Sequence, residues 1–193
     1  MHILAVLAHP SRTSFAAKVF TTAIEALTEA GHDVRTLDLY GEGFEARLSE
    51  PEWRVNSDES RNRATVEGFV VDLLWADGLL LVFPTWWSGV PAILKGWLDR
   101  VFLPGVAFEL RPGPFRPMLT RLKLFAAITT CGASRWQTLA LFDPVRVYLR
   151  AMRLAVAPQA KPAFMRLHRM DTTSQEERVQ FLEHVRERFR KLG

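Results

Sequence analysis

The stretch FPTWWSGVPAILKGWLDRVF, residues 83–102, joins the end of a strand, a loop and a helix. Leu79 to Phe83, which leads into it, is a continuous apolar run of the kind found in strands buried on both faces. Pro84 and Gly89 bound a loop holding Trp86 and Trp87, two large flat rings where loops ordinarily carry small or polar residues. Both being core is not expected in such a loop, and one of the two is expected to pack beneath it. Val90, Ile93, Leu94, Trp97, Leu98, Val101 and Phe102 then recur at helical spacing along one face. Pro91 suits the first turn, where its missing N–H would have had no partner. A wholly apolar strand followed by an amphipathic helix is one unit of a parallel sheet covered by helices.

The same unit repeats on either side. Ile3 to Ala8 is apolar and ends at His9-Pro10; Phe15, Ala16, Val19, Phe20, Ala23, Ile24 and Leu27 follow at helical spacing, with Gly31 as the stop. Val34 to Leu39 alternates, as a half-exposed edge strand does. Residues 41–62 read as a polar, irregular surface excursion, and a helix is predicted over 62–76. Leu122 to Thr130 is a third inner strand, and Asp143-Pro144 opens a helix running to about Arg153. Pro158 and Pro162 flank a last strand, Ala163 to Leu167, and proline is best tolerated at a sheet edge. Ser174 with Glu177 forms a capping-box pattern before a C-terminal helix. No internal repeat or linker divides the chain, so residues 1–193 are expected to form one domain. Five strands alternating with helices predict an α/β three-layer fold. The inner strands are uniformly apolar and the second and fifth are edge-like, which predicts a parallel sheet in the order 2-1-3-4-5.

Composition narrows the function. The formal net charge is +4, but the basic residues are scattered, which argues against a nucleic-acid partner. The one cysteine, Cys131, excludes an intrachain disulfide, and the scattered histidines lack metal-ligand spacing, so no metal site is expected. The opening MHILAVLAHP has no basic leader, and no run is long enough for a membrane helix. A cytoplasmic protein without membrane insertion is the expectation.

In sheets of this order, ligands bind outside the carboxyl ends of the strands. The loops after strands one, three and four are therefore the places to look. The first, HPSRTSF at 9–15, brings Ser11, Thr13 and Ser14 to a helix N-terminus, where free N–H groups favour an anion; a plain helix cap explains them equally well. The second, PTWWSG at 84–89, offers backbone N–H groups and an indole face to a planar heterocycle. The third, TTCGAS at 129–134, leaves main chain open to a ligand. Cys131 has no histidine or acid beside it in sequence to activate it, and Ser88 lies outside a G-x-S-x-G elbow. A phosphate cradle, an aromatic wall and a strip of N–H donors at one sheet edge suit a flavin nucleotide.

Through AHPSRTSF at 8–15, FPTWWSGVPAILKGWLDRVF at 83–102 and ITTCG at 128–132, the chain resembles the NAD(P)H:quinone reductase (DT-diaphorase) family, a branch of the flavodoxin-like proteins. The resemblance implies a cytoplasmic homodimer that binds FAD, with FMN as the alternative. It further implies reduction of a quinone-like small-molecule acceptor by hydride transfer from NADPH or NADH. Cofactor contacts are implied at His9, Thr13, Ser14 and Phe15; at Pro84, Thr85, Trp86, Trp87 and Gly89; and at Thr129, Thr130, Cys131 and Gly132. Trp87, Phe108 and Trp136 would line the substrate pocket. The helix from Asp143 to Leu154, with Val145, Val147, Tyr148 and Met152, is a candidate dimer contact, and core packing explains the same residues nearly as well. The family's third loop reads T-T-G-G, followed by a charge-stabilising tyrosine and histidine. Here Cys131 replaces a glycine, Trp136 and Gln137 fall near the tyrosine, and Asp143 near the histidine. Gln137 is the candidate catalytic hydrogen-bond donor in the tyrosine's place. Ser88 stands where mammalian members carry a bulky aromatic. Arg111, Arg116 and Arg121 are candidates for a 2′-phosphate. An azo- or nitro-compound reductase, a regulatory flavoprotein serving a transporter partner, and a flavodoxin-type one-electron carrier, a class that tends to be acidic where this chain is basic, are the alternative readings.

Overall fold

The computed structural model describes residues 1–111 and 115–192. Strand β1 (His2–Leu7) leads through the first loop into α1 (Phe15–Glu29), whose end turns at Gly31 with a φ of +79° that L side chains rarely adopt. After β2 (Asp33–Asp38) come two helices, α2 (Glu50–Val55) and α3 (Glu67–Trp75). β3 (Gly78–Pro84) feeds the second loop and α4 (Ala92–Val101). A two-residue antiparallel hairpin, β4 (Phe108–Glu109) with β5 (Arg116–Pro117), precedes β6 (Leu124–Thr130). Helices α5 (Arg135–Ala140) and α6 (Pro144–Val156), strand β7 (Lys161–Leu167) and helix α7 (Gln175–Arg190) complete the chain. No described helix is long and apolar enough to cross a membrane.

The five long strands form one parallel sheet in the order β2-β1-β3-β6-β7, which is the predicted 2-1-3-4-5. Because successive side chains point to opposite faces, the apolar strands split between two cores. Leu4, Val6, Leu79, Leu81 and Phe83 pack under α3, α4 and α6. Ile3, Ala5, Leu80 and Val82 pack under α1 and α7. Burial of one such side chain contributes about 1.5–3 kcal/mol. Of the face read for α4, Ile93, Leu94, Trp97, Leu98, Val101 and Phe102 are buried, and Val90, which precedes the helix, is half-buried. Pro162 lies in β7, the edge strand, where a missing N–H breaks no ladder.

The excursion after β2 departs from the irregular surface loop expected. Ser49 and Glu52 form a capping box that starts α2. Arg100, buried on α4, donates to Glu52 Oε1 at 3.1 Å through Nε and to the Glu45 carbonyl, pinning the excursion to the helix. A Cβ at Gly96 would fall on the Ala46 carbonyl, so glycine is what lets the excursion and α4 touch. The third helix starts at Glu67 rather than near 62, because Asp58 holds the preceding residues in turns through Arg61, Asn62 and Ser60. The short hairpin and α5 were not foreseen: two-residue strands and a six-residue helix carry no periodic signal.

Candidate functional site

All three loops meet at the carboxyl edge of the inner strands. In the first, Ser11 N–H donates to His9 Nδ1 at 3.0 Å, and the Ser11 and Thr13 hydroxyls lie 3.0 Å apart. Ser14 Oγ accepts from Ala17 N–H at 3.1 Å, so this serine is the helix cap. The N–H groups of Phe15 and Ala16, at the start of α1, have no partner among the described residues. Free N–H groups with the positive end of a helix dipole behind them favour an anion.

In the second loop Trp86 and Gly89 exchange N–H···O bonds of 3.2 and 2.9 Å around Trp87 and Ser88. Both central residues have positive φ, 48° and 59°, which is the primed type of turn otherwise dominated by glycine, asparagine and aspartate. Each such residue costs about 1–3 kcal/mol. The strain holds Trp87 clear of the protein, fully exposed, with its own N–H and that of Ser88 unpartnered among the described residues. Trp86 is 43% exposed, its ring 6.4 Å from that of His9. Neither tryptophan is therefore packed under the loop; the buried indole is Trp97. Pro84 is buried as the last residue of β3.

Thr85 N–H donates to the Thr130 carbonyl at 2.7 Å, and the Thr85 and Thr129 hydroxyls lie 2.8 Å apart, tying the second loop to the third. Thr129, Thr130 and Cys131 are buried, while Gly132 is exposed. The N–H groups of Gly132 and Ala133 lack partners among the described residues. Cys131 is less isolated than its neighbours in sequence suggest: His168 Nδ1 is 3.5 Å from Sγ. Burial nevertheless pushes the thiol up and the imidazole down, so both are neutral near pH 7 and the thiol is not a nucleophile. Gln137 turns back on its own helix, Oε1 accepting from Ser134 N–H at 2.8 Å and leaving only the amide nitrogen to donate. Trp136 stands exposed beside it.

Some expected residues lie elsewhere. Phe108 follows the far end of α4 and stacks on Phe115 at 5.1 Å, and its hairpin leads to Lys123, whose N–H donates to Asp77 just before β3. That is the amino end of the sheet, so within one chain Phe108 does not join the three loops. Arg111 and Arg116 pair with Glu109, and Arg121 with Asp77, so none of the three is available at the carboxyl edge. Val145 is buried core rather than an exposed contact, whereas Val147 is exposed. Conversely, sequence reading missed a cleft of about 190 Å³ that continues the first loop along α7, lined by Thr13, Ser14, Phe15, Lys18, Gln175 and Arg178. Only tertiary packing of α1 on α7 brings these residues together. The described residues contain no cluster of side chains suited to a metal ion.

Unpartnered N–H groups at three loops, with the fully exposed indole of Trp87 among them, fit a flat ligand rich in acceptors that ends in an anion. In a doubly wound α/β protein, the class this sheet defines, that edge is where ligands bind. The chain matches the family described as "Flavodoxin-like fold" over residues 1–189, and belongs to it. A Streptococcus mutans protein superposes over the whole of both chains with a TM-score of 0.88 at 32% identity. The NAD(P)H:quinone oxidoreductase from Methanothermobacter marburgensis does so with a TM-score of 0.86 at 26% identity, over 100% of this chain and 99% of that one. The human ribosyldihydronicotinamide dehydrogenase [quinone] is 33% identical over 153 residues, covering 70% of this chain and 66% of its own length. The chain thus spans about two thirds of the length of that relative.

Proposed function

We propose that the protein is a flavin-dependent NAD(P)H oxidoreductase that reduces quinone-like acceptors by two-electron transfer. The observation that carries this reading is the strained Trp86–Gly89 turn, which holds an exposed indole and two free N–H groups against the other donor loops. The names of the Methanothermobacter and human relatives support the same reaction class.

Bound flavin would supply the chemistry of accepting and passing on a hydride; the chain supplies position, charge and exclusion of water. Phe15 and Ala16 N–H groups would hold the phosphate. The Thr85–Thr129 hydroxyl pair fixes the spacing between the loops on either side of the ring. Gly132 and Ala133 N–H groups would face its acceptor-rich end, where fixed donors stabilise negative charge without reorganising. Trp87 offers a stacking face, and the small side chain of Ser88 leaves room beside it. Gln137 Nε2 remains available as a donor in the same region. The cleft along α7, with Lys18 and Arg178, supports FAD over FMN, because it gives a second nucleotide half somewhere to lie.

A homodimer completes this reading. Leu139, Leu141, Phe142, Val147 and Leu154 are exposed apolar side chains on α5, α6 and the turn between them, and a second copy would be the source of the Phe108 that one chain keeps away from its own loops. On this reading the protein works in the cytoplasm, alongside the reduced nicotinamides. Steady-state rates with NADPH or NADH against a benzoquinone test the proposal. Parallel double-reciprocal lines are expected, since donor and acceptor share one pocket; the absence of flavin-dependent turnover would refute it.

A further inference from the structure

Arginines converge where the carboxyl end of β7 meets α5 and α6. Arg166 is deeply buried, 5% of its side chain exposed, and its Nη1 forms an ion pair with Asp143 Oδ1 at 2.8 Å. Its Nε and Nη2 are buried with no hydrogen-bond partner among the described residues. The Arg146 and Arg166 guanidinium carbons lie 5.1 and 4.9 Å from the Phe164 ring centre. With Arg135, Thr138, Leu139 and His168 these residues line a cleft of about 300 Å³. Asp143 is the one carboxylate in that lining, set against three guanidinium groups, and it also accepts the Arg146 N–H that starts α6. Burial keeps His168 neutral near pH 7, so it can act as a hydrogen-bonding partner without adding charge.

Like charges gathered in a partly desolvated cleft are costly unless an anion offsets them, and a buried guanidinium N–H without an acceptor adds to that cost. The fork of a guanidinium matches two oxygens of a phosphoryl group. A small recess shares Thr138, Asp143 and Arg166 with the cleft and extends to Thr85 and Ser88, so the cleft borders the second and third loops. The first loop follows β1, three strand spacings from β7 and about 14 Å away. One phosphate cannot occupy both places.

We propose that the cleft between Arg135, Arg146 and Arg166 is an oxyanion site for a phosphoryl group separate from that of the flavin. Its two sources would be the 2′-phosphate of NADPH or free phosphate. The first source rests on the reductase reading; the anion site itself does not.

The test is calorimetric titration of flavin-loaded protein with inorganic phosphate at constant ionic strength, in wild type, in Arg166→Met and in the double variant Arg135→Gln/Arg146→Gln. Saturable binding weakened by about ten-fold or more in the double variant is expected. The exposed pair carries the test should Arg166→Met fail to fold. Competition by adenosine 2′,5′-bisphosphate would identify the donor as the source; binding of phosphate without such competition would identify free phosphate. Unchanged affinity in the double variant would overturn the site, and so would the absence of saturable binding, which would mean that water alone satisfies Arg166. Flavin binding is measured separately by fluorescence quenching. If no flavin binds, the reductase reading fails while the phosphate titration, run on the protein as purified, still decides the cleft.

Discussion

Trp87 combines a backbone cost with a side chain that touches almost nothing, a cost that the proposed stacking on a ligand would offset. Replacing it should therefore move stability and binding in opposite directions. Trp87→Gly is expected to hold or raise the melting temperature, because glycine accepts positive φ, while raising the flavin dissociation constant about three- to ten-fold through lost stacking. A fall in stability with unchanged flavin affinity would show the indole to be structural. Cys131 makes the contrasting case. Its thiol is raised by burial and faces a neutral His168, so iodoacetamide should alkylate it more slowly in the native protein at pH 8 than in the urea-unfolded chain; mass spectrometry reads the two rates. Faster modification of the native thiol would mean an activated cysteine. The hydroxyls and donor loops were legible in the sequence because they follow strand ends. The His168 contact was not, since it depends on the register of β6 on β7, which pairs Thr130 with Leu167 and so brings the next residues, Cys131 and His168, level.

At the scale of elements, the Glu52 carboxylate ties the segment between β2 and α3 to α4 through Arg100. Desolvation would raise the Glu52 pKa, but hydrogen bonds from Ser49, Thr65 and Arg100 outweigh it and hold the group down at about 2. A depressed carboxyl contributes stability above its unfolded value, near 4.5, and loses it as pH falls toward 2. Glu52→Gln should then melt lower than wild type at pH 7, with the gap closing between about pH 5 and pH 2; a gap constant over that range would assign the effect to packing alone. Strands and long helices were read correctly because each buries a regular stripe. The excursion was misread because its order comes from the Glu52–Arg100 contact and the close approach at Gly96, neither of which leaves a period in the sequence.

The whole molecule carries exposed apolar side chains on α5, α6 and the turn between them beside its candidate site, and the aromatic Phe108 far from it. Sedimentation equilibrium should give a dimer, and Phe142→Glu should shift it to monomer while the monomer stays folded by circular dichroism. A wild-type monomer at micromolar concentration would contradict the shared-site arrangement. Sheet order could be inferred from which strands are apolar throughout, but the separation of Phe108 from the loops could not, because it arises from where α4 delivers the chain. The central claim is that this edge of the sheet positions a flavin to receive a hydride. Anaerobic titration of flavin-loaded protein with NADPH and with NADH, followed by flavin absorbance, tests it most directly. Rapid, stoichiometric bleaching is predicted with at least one of the two; tight flavin binding without bleaching by either would contradict the claim.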